Sequence, residues 1–178
     1  MSSRFDNLVI EPAKSRYKGK VWVFGDDIST DLMQPGFTPH GLPLEERAKY
    51  CMRANRPGWS EQVGRGDILI GGRNFGCGSN RPAALNLKIL GLGCMVAESV
   101  FSVHFRNCVN FAFPAMSCPG VSKLFKEGDV AEVNFETGLV TNVTTGKTLQ
   151  GRALPKFLMD IMAAGGSLAM LRKEGYIK

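Results

Sequence analysis

One glycine-rich stretch decides the fold: Gly71-Gly72-Arg73-Asn74-Phe75-Gly76-Cys77-Gly78-Ser79-Asn80-Arg81-Pro82. A hydrophobic run from Asp67 to Ile70 precedes it, and a helix-like run from Ala83 to Leu90 follows it. The pattern predicts a loop between a strand and a helix, the place where α/β folds bind ligands. Because glycines allow unusual backbone conformations, the loop can present several amides to an anion at a helix N-terminus. Ser79 and Arg81 stand at this predicted anion site.

The length and composition indicate one globular domain. The chain has 178 residues, of which 44% are hydrophobic, enough for a real core. Its apolar stretches are far shorter than the roughly 20 residues that span a bilayer. The N-terminal residues lack the apolar core of a signal peptide. We therefore expect a soluble cytoplasmic protein that does not associate with membranes.

The formal net charge is +6, with lysines and arginines scattered along the chain. No basic stripe interleaved with aromatic residues appears, so nucleic acid is not expected as a partner. The positive charge suits an anionic small molecule and an acidic protein partner equally well.

The five cysteines form no CxxC pair, so the sequence predicts neither a disulfide framework nor a self-contained metal site. Cys77 could be a nucleophile beside Arg81. However, His40 and His104 lie in other predicted elements and leave it without a local base. A packing role for Cys77 is favoured.

A compact apolar run from Lys20 to Gly25 predicts a buried strand, and the polar segment Asp26-Asp27-Ile28-Ser29-Thr30-Asp31 follows it as a loop. Its three aspartates could bind a metal, but the spacing lacks the pattern of a calcium loop. Loop scaffolding or a supporting role at the site is the preferred interpretation.

A second loop runs from Gln34 to Pro43 and contains three prolines and two glycines. Loops of this length in compact domains are often functional, so a lid or a specificity segment is plausible. A surface helix from Leu44 to Ala54 is predicted after it.

The remaining pattern predicts a mixed α/β fold. Residues 67 to 98 form a βαβ unit, residues 100 to 111 an amphipathic helix, and Phe113 to Met116 a short edge strand. Alternating residues from 128 to 143 predict an antiparallel hairpin. Two helices, over 154 to 164 and 167 to 176, end the chain. The fold class is thus a mixed sheet with flanking helices and a C-terminal antiparallel hairpin.

Two ligands are possible for the glycine loop. Gly76 to Arg81 almost matches the GxGxxG dinucleotide motif, and Glu98 stands where a ribose-binding acid would lie. However, Arg81 replaces the third glycine, and the chain has too few βα units for that fold. The alternative is a small carboxylate that pairs with Arg81, with Ser79 transferring a proton in an environment that stabilises its alkoxide. The sequence offers no metal and no second acid, which suggests a partner subunit.

Three motifs together carry a resemblance to a known family: Gly25-Asp26-Asp27-Ile28-Ser29-Thr30-Asp31, then Asn74 to Arg81, and then Ala97-Glu98-Ser99 with Phe105-Arg106-Asn107. They resemble the small subunit of 3-isopropylmalate dehydratase, which is similar to the swivelling domain of aconitase. The resemblance extends from about Gly19 to the C-terminus. It implies a single swivelling β/β/α domain over residues 1 to 178, with residues 1 to 18 as an N-terminal extension.

The resemblance also implies a function: a hydro-lyase subunit that removes and re-adds water across a hydroxy-dicarboxylic acid. A 4Fe-4S cluster, bound by a separate large subunit and not by this chain, would act as a Lewis acid on the leaving hydroxyl. Ser79 would abstract the carbon-bound proton, and Arg81 would bind a substrate carboxylate. Further substrate-binding residues would be Gly78, Thr30, Asp31 and Asn80. Without the large subunit the chain would be inactive and could form a homo-oligomer.

The chain departs from the family at one place. The family usually reads Gly-Ser-Ser-Arg-Glu-His-Ala, whereas this chain has Gly78-Ser79-Asn80-Arg81-Pro82-Ala83-Ala84. Pro82 suits a first helical turn, so the fold tolerates the change. We expect the same reaction on a different substrate, such as a methylated malate or another branched diacid, with isopropylmalate still possible. The alternatives are a non-catalytic carboxylate-binding or regulatory module and an independent enzyme that uses Cys77.

Overall fold

A computed structural model describes residues 10–78 and 81–177 of the chain. The strands are β1 (Arg16–Val23), β2 (Ile68–Gly71), β3 (Cys94–Ala97), β4 (Ala115–Ser117), β5 (Val130–Asn134), β6 (Leu139–Asn142) and β7 (Thr148–Gln150). The helices are α1 (Thr30–Met33), α2 (Leu44–Ala48), α3 (Ala83–Ile89), α4 (Ser102–Asn110), α5 (Val121–Leu124), α6 (Lys156–Ala163) and α7 (Ser167–Lys173), with a 3-10 turn at Trp59–Glu61.

All seven strands form one sheet in the order β4-β3-β2-β1-β5-β6-β7. The first four strands in this order are parallel, and the last four are antiparallel. β1 belongs to both halves, because residues 16–20 pair with β5 and residues 21–23 pair with β2. The mixed sheet predicted from the sequence is confirmed.

The sheet curls until its two edges approach each other. After β7, the amide of Arg152 donates a hydrogen bond of 2.9 Å to the carbonyl of Ser117 at the end of β4. A Cβ atom at Gly151 would lie 3.0 Å from the Cβ atom of Cys118, so the glycine relieves a tight contact at this approach. The curled sheet encloses one face of its strands, which becomes the inner core.

Successive strand residues alternate between two cores. Val21, Ile68, Ile70 and Val96 pack into the inner core with the hairpin and α6. Trp22, Leu69 and Met95 point to the opposite face, where α3, α4 and the segments around α1 and α2 cover them. Because the parallel strands are buried on both faces, their sequence is continuously apolar, as the run Ile68-Leu69-Ile70 shows.

Most predicted elements are present, but several differ in their bounds and some were not foreseen. β1 begins at Arg16 rather than Lys20 and ends at Val23, because pairing with β5 extends the strand over polar residues. The helix expected to reach Ala54 ends at Ala48, since bonds of the 3-10 type take over and Met52 adopts a positive φ of 59°. The loop at Asp26 to Asp31 contains the start of α1. The short β7 and α5 were not foreseen.

Among the described residues, no helix is both long enough and apolar enough to cross a membrane.

Candidate active site

The glycine loop leaves β2 and enters α3, as predicted, and lies at the carboxyl ends of the parallel strands. Segments that follow the two neighbouring strands hold it on both sides. After β1, the carbonyl of Ile28 accepts a 2.7 Å hydrogen bond from the amide of Gly76. After β3, the carbonyl of Ser99 accepts one of 3.0 Å from the amide of Phe75. Main-chain bonds therefore hold the described part of the loop around Phe75 and Gly76.

Two glycines in the loop are required by its geometry. Gly76 has a φ of +83°, and a Cβ atom there would lie 2.2 Å from Cγ of the His104 imidazole. Gly78 has a φ of +104°, and a Cβ atom there would lie 3.2 Å from Oγ1 of Thr30. Side chains are strained in such conformations. The loop can therefore approach α1 and α4 closely only because these residues are glycines.

The acidic segment after β1 binds the glycine loop through its side chains. Oδ1 of Asp26 accepts a 2.7 Å hydrogen bond from the Arg73 amide, and Oδ1 of Asp27 accepts one of 2.9 Å from Nδ2 of Asn74. Asp27 and Asn74 both have positive φ angles, which these residue types tolerate better than most. These two aspartates act as scaffolding, one of the roles that the sequence left open.

A third aspartate in this segment pairs with the predicted carboxylate anchor. Oδ1 of Asp31 lies 2.6 Å from Nε of Arg81. The Asp31 side chain is 52% exposed and that of Arg81 is 35% exposed, so the pair faces solvent at the mouth of the site. The two charges therefore meet at a place that a ligand can reach.

The structure brings together four of the residues singled out from the sequence: Gly78, Thr30, Asp31 and Arg81. Thr30 is buried, and its amide donates a 2.8 Å hydrogen bond to the carbonyl of Cys77. Ser79 and Asn80, also singled out, lie outside the described residues.

Asn107 was missed as a contributor to the site, although it is part of a quoted motif. Its Oδ1 accepts a hydrogen bond of 3.3 Å from the amide of Ala84, in the first turn of α3. Pro82 precedes this helix and supplies no side-chain cap. The Asn107 side chain of α4 thus accepts from the Ala84 amide, which lies in the first turn of α3 and so has no acceptor within that helix. Only the tertiary contact shows this role.

His104 lies buried beneath Gly76, where burial lowers the pKa of its imidazole to about 4. Neither ring nitrogen hydrogen-bonds to a described residue. The ring is therefore neutral at ordinary pH and serves to pack the loop. His40 is exposed in the loop from Gln34 to Pro43. Cys77 is half-buried, and its Sγ lies 3.6 Å from the carbonyl oxygen of Asp27, a group that cannot act as its base.

Glu98 is engaged within the fold. Its carboxylate accepts hydrogen bonds from the amides of Gly120 (2.6 Å) and Ser122 (2.8 Å), at the start of α5. Partial burial alone would raise its pKa, but the bonds from Ser122 and Gly120 outweigh this and lower it. A carboxylate held in this way caps α5, so the ribose-binding role considered for a dinucleotide site has no support in this geometry.

The loop from Gln34 to Pro43 is partly anchored. Pro35 and Thr38 are buried, whereas the Phe37 side chain is 58% exposed and its ring lies 6.4 Å from that of Tyr50. The loop therefore presents an aromatic ring to solvent from a fixed base.

The described residues do not fit a metal centre. No group of three histidine, cysteine or acidic side chains among them could hold a metal ion. Four of the five cysteines are buried, and burial raises the pKa of each thiol, that of Cys118 to about 11. Thiols of this kind resist the ionisation that an iron–sulfur ligand requires.

Comparisons with known proteins agree with this geometry. Residues 52–117 match the model of the Aconitase C-terminal domain family. The isopropylmalate/citramalate isomerase small subunit of Methanocaldococcus jannaschii is 43% identical over 162 residues, which cover 90% of this chain and 96% of that protein. The 2,3-dimethylmalate dehydratase small subunit of Eubacterium barkeri is 38% identical over 151 residues, or 84% of this chain and 92% of that protein.

The fold is also similar to a solved structure. A crystal structure of 3-isopropylmalate dehydratase from Methanocaldococcus jannaschii superimposes with a TM-score of 0.84 at 28% identity and covers 90% of this chain and 96% of that one. The resemblance inferred from the motifs is confirmed along nearly the whole chain. The chain belongs to the family of 3-isopropylmalate dehydratase small subunits, which are subunits of aconitase-type hydro-lyases.

Proposed function

We propose that this chain works with a large subunit to remove and re-add water across a branched or methylated malate, with Ser79 as the base and Arg81 as the carboxylate anchor. The observation that carries the proposal is the Arg81–Asp31 pair, at a glycine loop on the carboxyl edge of the parallel strands. A partly exposed guanidinium in this position suits an anionic diacid.

Arg81 can bind substrate while it remains paired with Asp31. Asp31 engages Nε, whereas the guanidinium also carries the donors of Nη1 and Nη2. A substrate carboxylate could take these donors. Because two carboxylates repel each other, we place Asp31 behind the arginine rather than against the substrate. Among the proposed substrate-binding residues, Asp31 thus orients the anchor and Arg81 makes the contact.

Ser79 and Asn80 lie between two described neighbours, Gly78 and Arg81. A serine hydroxyl is a poor base unless its alkoxide is stabilised by amides and cations in a site that excludes water. Arg81 supplies the cation, and Asn80 offers a donor and an acceptor. Gly78, which has no side chain, leaves room above Thr30. In the proposed reaction, Ser79 takes the proton from the carbon next to the carboxylate held by Arg81.

The metal chemistry of the proposed reaction belongs to the other subunit. The cysteines of this chain do not fit a cluster, whereas membership of an aconitase-type family supports a 4Fe-4S cluster in the large subunit. We assign no step through that cluster to residues of this chain. The names of the relatives as small subunits support the heteromeric assembly.

The substrate class follows from the relatives and from the site. Relatives are named for isopropylmalate, citramalate and 2,3-dimethylmalate, all branched malates. The departure at residues 80 to 83 lies next to the proposed base. We therefore propose a branched or methylated malate, selected in part by the Gln34 to Pro43 loop with its exposed Phe37. The catalytic names of the relatives favour this reading over a non-catalytic module.

The test is to co-express the chain with its large subunit under anaerobic conditions and to screen branched malates for the unsaturated product. Ser79→Ala should abolish turnover and leave subunit association intact. Ser167→Ala, at the start of α7, is the control: it removes a serine hydroxyl that donates to Oδ1 of Asn110 outside the glycine loop, and it should leave turnover unchanged. Near-normal turnover of Ser79→Ala would show that Ser79 is not the base. Binding of a diacid without any product would favour a regulatory module.

A further inference from the structure

A groove of about 910 Å³ lies at the edge of the sheet opposite to the glycine loop. Arg65 and Gly66, which precede β2, and Gly91 to Gly93, which precede β3, form part of its wall. The groove therefore meets the amino ends of the parallel strands, whereas the candidate active site lies at their carboxyl ends. The catalytic residues proposed above do not line it.

The charge in this groove is one-sided. Five of its side chains are cationic and one is acidic: Lys14, Arg16, Lys18, Arg65, Lys88 and Glu11. Glu11 pairs with Arg65 at 2.8 Å. No carboxylate among the described residues forms an ion pair with Lys14, Arg16 or Lys18. Most of the positive charge in the groove is therefore uncompensated within the described chain.

The cations come from separate parts of the chain and converge on one space. Arg16 and Lys18 are two residues apart in β1 and therefore lie on the same side of the sheet, and Lys14 lies in the segment just before this strand. Arg65 comes from the turn before β2, and Lys88 from the end of α3. Lysine and arginine are the side chains that bind phosphate oxygens, arginine through its planar fork.

Lys88 stands apart because it is half-buried. Its Nζ donates to the carbonyl oxygens of Glu11 and Ala112, each at 2.5 Å. Burial lowers the pKa of this amine to about 8, with the nearby Glu11 carboxylate acting in the opposite direction. A bound anion in the groove would favour the protonated amine.

The groove also has an apolar side. Tyr17 lines it with its half-buried ring, together with Leu90 and Leu92. Its volume lies in the range of about 300–1,000 Å³ that is typical of small-molecule sites. A phosphate ion alone would fill little of this space, whereas a diphosphate with an organic part would reach both the cations and the apolar wall.

We propose that this groove binds a small molecule that carries a diphosphate group, with Arg16, Lys18 and Arg65 on the phosphates and the organic part against Tyr17 and Leu90. The proposal is independent of the dehydratase function, so either can fail alone.

The experiment is calorimetric titration of the full chain with ADP, pyrophosphate and adenosine at 0.1 M salt and pH 8. ADP should bind at one site, pyrophosphate should bind more weakly, and adenosine should show no binding. Titrations in two buffers of different ionisation enthalpy should show proton uptake when ADP binds, because burial lowers the pKa of Lys88 to about 8 and a bound anion favours its protonated form. Tyr17 stays uncharged near pH 8, because burial raises the pKa of its phenol to about 12.

The control separates a built site from general attraction. Arg16→Gln with Lys18→Gln should weaken ADP binding at least tenfold. Lys123→Gln with Lys126→Gln removes the same charge from exposed lysines outside the groove and should leave binding within twofold. Three outcomes would each overturn the proposal. These are an equal loss of ADP affinity in both double variants, no binding of ADP, and binding of single-stranded RNA without binding of pyrophosphate.

Discussion

The carboxylate of Asp31 lies 2.6 Å from Nε of Arg81. An acidic residue after β1 therefore pairs with the arginine at the end of the glycine loop, just before α3. From the sequence, both residues belong to one predicted substrate-binding set, in which Arg81 binds the substrate carboxylate and the part played by Asp31 is not specified. We propose that their roles are separate, since only the cation can attract a diacid. This separation can be tested directly.

Asp31→Asn should raise the KM of the assembled enzyme for its diacid about fivefold, or about 1 kcal/mol, because the arginine loses the partner that orients it. The turnover number should change less than KM. Steady-state kinetics with the co-expressed large subunit would measure both values. Asp160→Asn, which removes the acidic partner of Lys156 on α6, is the control. A fall in KM would show instead that Asp31 competes with substrate for Arg81.

Gly76→Ala should destabilise the chain by more than about 2 kcal/mol, because the new Cβ atom would lie 2.2 Å from the His104 ring in a backbone conformation with φ of +83°. Urea unfolding would measure the loss. Gly36→Ala has open space around the new Cβ atom and should stay within about 0.5 kcal/mol of the wild type. Equal stability of the two variants would contradict the close packing of the loop on α4.

The Arg56–Glu127 pair should make stability depend on pH. Arg56 donates to both carboxylate oxygens of Glu127 and lies over the rings of Trp22 and Phe24. The hydrogen bond from Arg56 lowers the pKa of Glu127, so the unfolded chain binds the proton first as the pH falls. The pair thus contributes fully above the ordinary glutamate pKa of about 4.3, and its contribution is lost as the pH falls through the lowered value.

Glu127→Gln should therefore cost about 1 kcal/mol at pH 7, a modest value because both side chains are about one-third exposed. The difference from the wild type should shrink well below pH 4. Urea unfolding of both proteins at pH 7 and pH 3 would measure it. A difference that stays constant with pH would mean that the pair contributes no electrostatic stability.

Cys77→Ala should keep at least about half of the wild-type turnover, since the thiol hydrogen-bonds to the carbonyl oxygen of Asp27 and not to a base among the described residues. The same assay of the co-expressed complex would test it. Cys51 is buried just after α2, and a Cys51→Ala variant would control for general effects of removing a thiol. Loss of turnover in the Cys77 variant alone would support the alternative hypothesis of an independent enzyme that uses Cys77 as its nucleophile.

The sequence predicted the parts of this molecule that depend on local pattern. The apolar run Ile68-Leu69-Ile70, the glycine loop and the helix after Pro82 follow one another along the chain, so periodicity and glycine positions suffice to place them. The hairpin of β5 and β6 was equally readable, because alternation in its strands and the turn between them are local signals.

The contacts that build the site could not be read in this way. Asp27 meets Asn74 across 47 positions of sequence, and Asn107 meets Ala84 across 23. Neither local sequence pattern predicts these contacts, because the contacts form only when separate strands end at the same edge of the sheet. The early end of α2 is a similar case, since the positive φ of Met52 depends on its tertiary contacts, including the bond from its amide to Leu32.

The change of pairing partner within β1 divides the sheet into two halves, one of which can be labelled without altering the other. Residues 16–20 bond to the hairpin half, and residues 21–23 lead into the half that carries the glycine loop. The tight turn at Thr145 and Gly146 is exposed and lies in the hairpin half. A dye or affinity tag inserted there would leave the half that carries the glycine loop unchanged, so assembly with a large subunit could be followed by fluorescence.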